Sequence, residues 1–385
     1  MSVVQRFEFA TATKIVFGRG VASELPKLLQ TADARKAFAV VGKASRHKAI
    51  LDSLPSHVTF EVHGEPTVDV ATEGVRLAST SGCDAVVAIG GGSVIDVGKV
   101  IAALVTNGGE PLDYMEVVGR GHTVSKPSLP FIAVPTTAGT GAEVTKNSVL
   151  ASPGDRVKAS IRSSYMLPRV AVIDPLLTVS VPPSVTASTG LDAFTQCLEP
   201  FVSVLSNPLT DAIAKEGLRH GAQSLQTAFE SGDNLDAREG MCLCSLMGGL
   251  ALANAKLGAV HGFAGVIGGW CKGAPHGAIC ARLLPFVITA NVQALTERSP
   301  DSPLLGKYSE VAQLITGRSD ATSQDAVKFI QRLCSVLNVP PLSTYGLNED
   351  DVPAIVEKSA KSSSMKGNSI VLSKDELTGI LLQAL

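Results

Sequence analysis

Aromatic residues are scarce in this chain: they fill 4% of its 385 positions, with a single Trp. Neither sign of charge dominates. The formal net charge is −2, and no long acidic or basic run occurs. Nucleic acid and anionic membrane surfaces attract a concentrated positive patch, so neither is an expected partner. The seven cysteines (Cys83, Cys197, Cys242, Cys244, Cys271, Cys280 and Cys334) are odd in number and show no CxxC pair. Most sit among apolar neighbours and read as small buried hydrophobes. The segment Met1 to Phe9 lacks the basic-then-apolar pattern of a signal peptide, which together with the cysteine usage gives a cytoplasmic expectation. The longest apolar stretch, Gly248 to Trp270, is interrupted by Asn254, Lys256 and His261. It reads as a buried helix rather than a membrane span. Solenoid repeats and low-complexity segments are absent.

What is present suits large cores and tight turns. Hydrophobic residues make up 45% and charged residues 18%, with 36 glycines. A chain of this length accommodates two domains. Through the first 180 residues, apolar runs alternate with amphipathic stretches: Lys36–Val41, Ala85–Ile89, Leu129–Val134 and Val170–Ile173. Runs without polar alternation indicate strands buried on both faces, as in a parallel α/β sheet. Beyond Asp174-Pro175 the pattern becomes helical. Ser206-Asn207-Pro208 opens one helix, Val339-Pro340-Pro341 closes another, and Asn348-Glu349-Asp350 starts a late one. The expected fold class is therefore α/β plus all-α: an α/β dinucleotide-binding domain over 1–180 and a helical domain over 181–385.

Three motifs carry chemistry. Gly90-Gly91-Gly92-Ser93-Val94-Ile95-Asp96 follows a buried strand and precedes a helix expected over Val97–Leu104. It is either a phosphate cradle, with glycines admitting the ligand to free helix N–H groups, or a tight turn without a ligand. Pro135-Thr136-Thr137-Ala138-Gly139-Thr140-Gly141 also follows a buried strand, as a polar lip or a solvated loop. Two such loops after parallel strands share the carboxyl edge of the sheet, where dinucleotides bind. The third motif combines Asp192, in Gly190-Leu191-Asp192-Ala193, with His261 and His276, each followed by Gly. A carboxylate and two imidazoles suit a divalent metal, although histidines are also common as hydrogen-bonded core or surface groups.

GGGSVIDVGK (Gly90 to Lys99), PTTAGTGAEVT (Pro135 to Thr145), IDPLLT (Ile173 to Thr178), TGLDAFT (Thr189 to Thr195) and FGRG (Phe17 to Gly20) resemble, in order and spacing, the iron-containing alcohol dehydrogenase family. The resemblance implies a Rossmann-like N-terminal domain, a helical C-terminal domain, and a cleft holding a nicotinamide coenzyme and a metal. It implies that Gly91, Gly92 and Ser93 meet the pyrophosphate, with Asp96 in the same motif. By the same resemblance Thr136, Thr137 and Thr140 line the coenzyme, and Lys158 reaches its phosphate or ribose side. Asp192, His261 and His276 match catalytic metal ligands for Fe²⁺ or Zn²⁺.

Two positions depart from the family pattern. A ligand His four residues after the Asp is here Gln196, whose amide oxygen is a weaker donor. An active-site His four residues after His261 is here Gly265. Both a metal-assisted reaction and one in which His261 or His276 acts as general acid remain open. Gly42 stands where NAD-preferring members resemble this chain but carry Asp. With Lys43, Ser45 and Arg46 following, NADP(H) is expected over NAD(H). The expected substrate is a small alcohol or carbonyl compound. Alternatives are a maleylacetate reductase-like reaction on a carboxylated keto substrate, with Arg162, Lys146 or Lys272 as counter-charge, and a catalytically silent nucleotide-binding protein. A homodimer or larger homo-oligomer is expected, and the alternating run Val4–Ile15 offers an edge strand for it.

Overall fold

The computed structural model describes residues 6–154, 157–271 and 273–385. It divides into an α/β unit, Thr11–Thr137 with Gly141–Val179, and a helical unit, which takes in Ser180–Leu385, Ala138–Thr140 and the residues up to Ala10. The excursion of Ala138–Thr140 follows from packing: a Cβ on Gly139 would stand 2.9 Å from the Thr189 Cβ.

In the α/β unit the strands are β1 (Lys14–Phe17), β2 (Ala37–Val41), β3 (His57–Glu61) and β4 (Ala85–Gly90). They continue with β5 (Phe131–Pro135), β6 (Asn147–Ser152), β7 (Val157–Arg162) and β8 (Val170–Ile173). Six of them form a parallel sheet in the order β1-β8-β5-β4-β2-β3, and β6 and β7 make a separate antiparallel hairpin. Strands β2, β4, β5 and β8 are apolar runs buried along their whole length. Burial on both faces removes any need for alternation. The edge strands β1 and β3 are only partly covered. Helices α1 (Leu25–Thr31), α2 (Lys48–Ser53), α3 (Val68–Ser81), α4 (Gly92–Asn107) and α5 (Pro111–Tyr114) connect them. Strand order turns between β2 and β4, which places a crevice at their carboxyl ends. Toward the opposite edge of the sheet, the buried Asp174, just after β8, accepts the Gly20 and Ala22 N–H groups at 3.0 and 3.1 Å. That clamp explains why the FGRG and IDPLLT segments occur together.

The N-terminal strand is shorter than the sequence pattern suggests. Residues 6–13 are irregular and β1 begins at Lys14; residues 4 and 5 lie outside the described part. Helix α4 starts at Gly92 rather than at Val97, with Gly91 as its N-cap and Gly92-Ser93-Val94-Ile95 as its first turn.

The helical unit contains α6 (Pro183–Phe201), α7 (Pro208–Glu230), α8 (Leu235–Ala255), α9 (Ala259–Trp270) and α10 (His276–Arg298). It ends with α11 (Pro303–Thr316), α12 (Ser323–Val336), α13 (Val352–Ala360) and α14 (Lys374–Ala384). Asn207 caps α7 by accepting the Leu209 and Thr210 N–H groups. Helix α6 is the axis of the unit, buried without interruption from Gly190 to Phe201. Phe194, Phe201 and Phe263 are fully enclosed, each contributing roughly 2–3 kcal/mol by burial. The stretch read as one buried helix is two, α8 and α9, meeting at 99°. The break falls at Lys256, whose φ of 58° and ψ of 172° belong to a region favoured by glycine. Helix α10 is long and apolar enough to cross a membrane, but 67% of its apolar window is buried inside the unit.

Candidate active site

The fold brings the predicted coenzyme residues of the α/β unit to one end of the sheet. Gly90 and Pro135 are register partners on β4 and β5, so their loops emerge side by side, joined by Thr136 N–H donating to the Gly90 carbonyl at 3.0 Å. Gly91 precedes the first turn of α4, and no side chain among the described residues caps that turn. An uncapped helix start offers N–H groups and a favourable dipole to an anion. A Cβ on Gly91 would stand 3.3 Å from Thr137 Oγ1, closing the space over the loop. Gly42 lies at the end of β2, and a Cβ there would meet nothing nearer than Val94 Cγ2 at 3.9 Å. Packing does not require glycine at that position, so the open ground is available to a ligand. Thr136 and Thr137 are half-buried at the rim.

Three further residues expected at the coenzyme have surroundings of their own. Asp96 turns toward the hairpin, where its Oδ2 accepts the Val149 N–H at 3.0 Å. Burial pushes its carboxyl up to about 6, against the opposing pull of Lys99. Lys158 is engaged by Glu65 at 2.8 Å. Thr140 is exposed and grouped with the helical unit, apart from Thr136 and Thr137. Of the counter-charges considered for a keto acid, Arg162 faces Glu116 at 3.7 Å, and Lys272 lies outside the described residues. One acidic side chain escaped the sequence reading. Glu61, at the end of β3, reaches the loop after β2 and accepts the Ala44 N–H at 2.9 Å, with His63 Nε2 at 3.1 Å from its other oxygen.

In the helical unit, Asp192, Gln196 and Glu199 project from one face of α6 at i, i+4 and i+7. His261 sits in the first turn of α9, and His276 is the first residue of α10. The start of α10 lies close against α6: a Cβ on Gly277 would stand 2.1 Å from the Ser188 carbonyl oxygen. His261 Nε2 is 3.3 Å from Asp192 Oδ1, and His276 Nε2 is 4.0 Å from the same oxygen. Cys280, one turn into α10, places Sγ 3.8 Å from His261 Nε2. One donor atom from each of Asp192, His261, His276 and Cys280 falls within 4.8 Å of every other. His276 is half-exposed and the other three are buried.

The surrounding hydrogen bonds set the chemistry of this cluster. His261 Nδ1 donates to Glu199 Oε2 at 2.7 Å, while Glu199 Oε1 accepts the Val260 N–H at 2.7 Å in the first turn of α9. The imidazole is thereby oriented with Nε2 toward Asp192, the arrangement that carboxylates impose on metal-binding histidines. Gln196 Nε2 donates to Asp192 Oδ2 at 3.0 Å. Asp192 Oδ1 and Gln196 Oε1 are buried with no hydrogen-bond partner among the described residues. Burial alone would raise Asp192, but hydrogen bonding and charge from His261 and His276 outweigh it and hold the carboxyl below its ordinary range. Burial would lower His261, yet Cys280, Asp192 and Glu199 hold its imidazole well above the usual value. Burial pushes the Cys280 thiol up to about 12. A protonated His261 balances the buried Asp192 carboxylate at 3.3 Å; with that proton gone, the same two atoms are a carboxylate oxygen and an imidazole nitrogen that suit a cation. The residues present therefore fit a divalent cation.

Gly265 stands one turn after His261, exposed, and a Cβ there would meet nothing within 4 Å. Where the family pattern has an imidazole, this chain leaves open space. Glu199 and Cys280 were not read from the sequence as site residues. Their signals were helical spacing: i+7 from Asp192 and i+4 from His276.

Comparison with known proteins bears on both halves. Residues 12–175 match the family model for iron-containing alcohol dehydrogenase, and residues 186–385 match that of the C-terminal part of the same family. The chain is 33% identical over 378 residues to alcohol dehydrogenase 4 of Saccharomyces cerevisiae, with 96% of each covered. Among solved structures it is similar to 1,3-propanediol oxidoreductase, with a TM-score of 0.90 at 31% identity over 99% of this chain and 100% of that one. It also resembles a sulfoacetaldehyde reductase from Bifidobacterium kashiwanohense solved with NAD+, with a TM-score of 0.88 at 28% identity over 99% of both chains.

Proposed function

The chain belongs to the iron-containing alcohol dehydrogenase family, and from that premise we propose that it interconverts a small alcohol and its aldehyde or ketone, using a nicotinamide dinucleotide and a divalent cation. The observation that carries the reading is the buried 3.3 Å approach of His261 Nε2 to Asp192 Oδ1, which has no hydrogen-bond partner among the described residues, with Nδ1 already committed to Glu199. Asp192, His261 and His276 hold the cation, Fe²⁺ or Zn²⁺. When bound, the cation supplies Lewis acidity toward the substrate oxygen and the coenzyme supplies or accepts hydride. Glu199 orients His261, and Gln196 orients Asp192 through Oδ2. The absence of a side chain at Gly265 leaves no imidazole there, so proton exchange runs through water.

NADP(H) is the proposed coenzyme over NAD(H). Gly42 puts no carboxylate at the end of β2, and the exposed Lys43, Ser45 and Arg46 follow it. Glu61 brings a negative charge to the same loop, but its oxygens are engaged by the Ala44 N–H and His63. Pyrophosphate falls to Gly91, Gly92 and Ser93, with Thr136 and Thr137 at the rim. A homodimer is proposed through β1, which lies at the sheet edge with Ile15 exposed.

The test is oxidation of NADPH and NADH by the purified protein with a panel of small aldehydes, ketones and carboxylated keto acids, before and after chelation. Turnover of neutral carbonyls that is lost on chelation and restored by Fe²⁺ or Zn²⁺ is expected. Chelator-resistant turnover would transfer the polarising role to an imidazole, and tight coenzyme binding without turnover would remove the enzymatic reading.

A further inference from the structure

The family pattern leaves this chain one donor short, because Gln196 occupies the place of a histidine. The amide nitrogen of Gln196 donates to Asp192 Oδ2, the carboxylate oxygen other than the one that faces the two imidazoles, and its oxygen is buried without a hydrogen-bond partner among the described residues. A different side chain has entered the site. Cys280 lies one turn after His276 on α10, fully buried, with Sγ 3.8 Å from His261 Nε2 and within 4.8 Å of the donor atoms of Asp192 and His276. Donors at about 2.0–2.3 Å from a tetrahedral ion stand about 3.3–3.8 Å apart. The separations of Asp192 Oδ1 and Cys280 Sγ from His261 Nε2, 3.3 and 3.8 Å, are of that size. A second observation points to the same ligand: Asp192 Oδ1, 3.3 and 4.0 Å from the two imidazole nitrogens, is buried without a hydrogen-bond partner among the described residues.

We propose that Cys280 is the fourth metal ligand of this protein, completing with Asp192, His261 and His276 a carboxylate–bis-imidazole–thiolate set. The inference rests on the metal-assisted reading above and specifies it. Binding forms a bond from the cation to Sγ and releases the thiol proton to solvent, with no change of oxidation state. The replacement exchanges a nitrogen donor for a soft sulfur donor, which favours Zn²⁺ over Fe²⁺. Gln196 then acts as a positioning residue for Asp192 rather than as a ligand. The sulfur arrives from α10 instead of α6, so the cation is gripped twice by one turn of α10.

The experiment replaces the native ion with Co²⁺ in the full-length protein and reads the near-ultraviolet thiolate-to-Co²⁺ charge-transfer band, independently of turnover. One equivalent of Co²⁺ with that band is expected for the parent and for Gln196→Leu. Cys280→Ser is expected to lose the band and to weaken Zn²⁺ binding by ~100-fold or more, since even second-layer partners of a metal are worth ~10–100-fold. One equivalent of Co²⁺ without the band in the parent, or a band that survives Cys280→Ser, overturns the assignment of Cys280 while leaving the metal site itself standing. Failure of the parent to bind Co²⁺ or Zn²⁺ at all overturns both. The parent spectrum decides the point even where the serine variant folds poorly.

Discussion

Each unit buries a knot of ionisable side chains, and the two knots differ in how far those side chains are satisfied. In the α/β unit, the fully buried Lys99 donates to Thr145 Oγ1 and the Asn147 carbonyl, both at 2.8 Å, while Asp96 accepts the Val149 N–H. Burial lowers Lys99 to about 8 and raises Glu143 to about 7, each opposed by the attraction of the other's charge. These groups spend their hydrogen bonds on tying the hairpin to α4. In the helical unit, Asp192 Oδ1 and Gln196 Oε1 have no hydrogen-bond partner among the described residues, and His261 is oriented by Glu199 with Nε2 toward Asp192. A buried polar cluster that closes on itself holds the fold, whereas one that leaves an acceptor bare is waiting for a ligand.

That contrast can be broken most sharply by removing one charge from each knot. Asp192→Asn is expected to lower kcat/KM by on the order of 10³-fold, as loss of a principal electrostatic group does. It should change the unfolding free energy of the metal-free protein by no more than about 1.5 kcal/mol. Lys99→Met should do the reverse to stability, costing about 3 kcal/mol or more because Asp96 and Glu143 lose their counter-charge. Urea unfolding of the two variants beside steady-state rates checks both statements. Equal destabilisation by the two would erase the distinction.

The pH dependence sharpens it. Glu143 titrates near 7 in the folded chain against about 4.3 in an unfolded one. Its contribution is therefore fully present below that unfolded value and is lost as pH rises through about 7. Glu143→Gln should remove this slope, gaining on the order of 2–3 kcal/mol relative to the parent between pH 5 and 8. The midpoint of urea unfolding measured across that range is the check, and parallel curves would contradict the raised, buried carboxyl.

Smaller effects address the loops. Gly42→Asp places a carboxylate at the end of β2 and is expected to raise the KM for NADPH by ~10-fold or more while sparing NADH. An unchanged ratio would mean that Glu61 already sets the preference. The smallest expected effect is at the bend between α8 and α9. Lys256→Gly should relieve a strained backbone and add about 1 kcal/mol of stability, visible as a higher unfolding midpoint.

What could be read from the sequence followed the physics of burial. Strands β2, β4, β5 and β8 are apolar runs covered on both faces, and they stood out for that reason. Strand β3 (HVTFE) and the β6–β7 hairpin did not, because half of their residues face away from the core and their polar content resembles loop. The break in Gly248 to Trp270 was hidden because its strained residue is a lysine, a residue type with no preference for that backbone region. At the site, Asp192, His261 and His276 were legible as residue types next to glycines. Cys280 was not, since a lone cysteine among apolar neighbours is usually core, and only the fold of α10 against α6 and α9 places it beside two imidazoles. Asp96 and Lys158 were assigned to the coenzyme from motif position alone. Their partners, the Val149 N–H and Glu65, come from segments 53 and 93 residues away, which no local pattern reveals.

The central claim is that the unsatisfied knot in the helical unit is a cation site. Calorimetric titration of chelator-treated protein with Zn²⁺, in parallel with Asp192→Asn, tests it most directly. One site per chain in the parent, with binding abolished or greatly weakened in the variant and carbonyl reduction recovered in step with occupancy, is the predicted result. No binding by the parent, or undiminished binding by the variant, would contradict it.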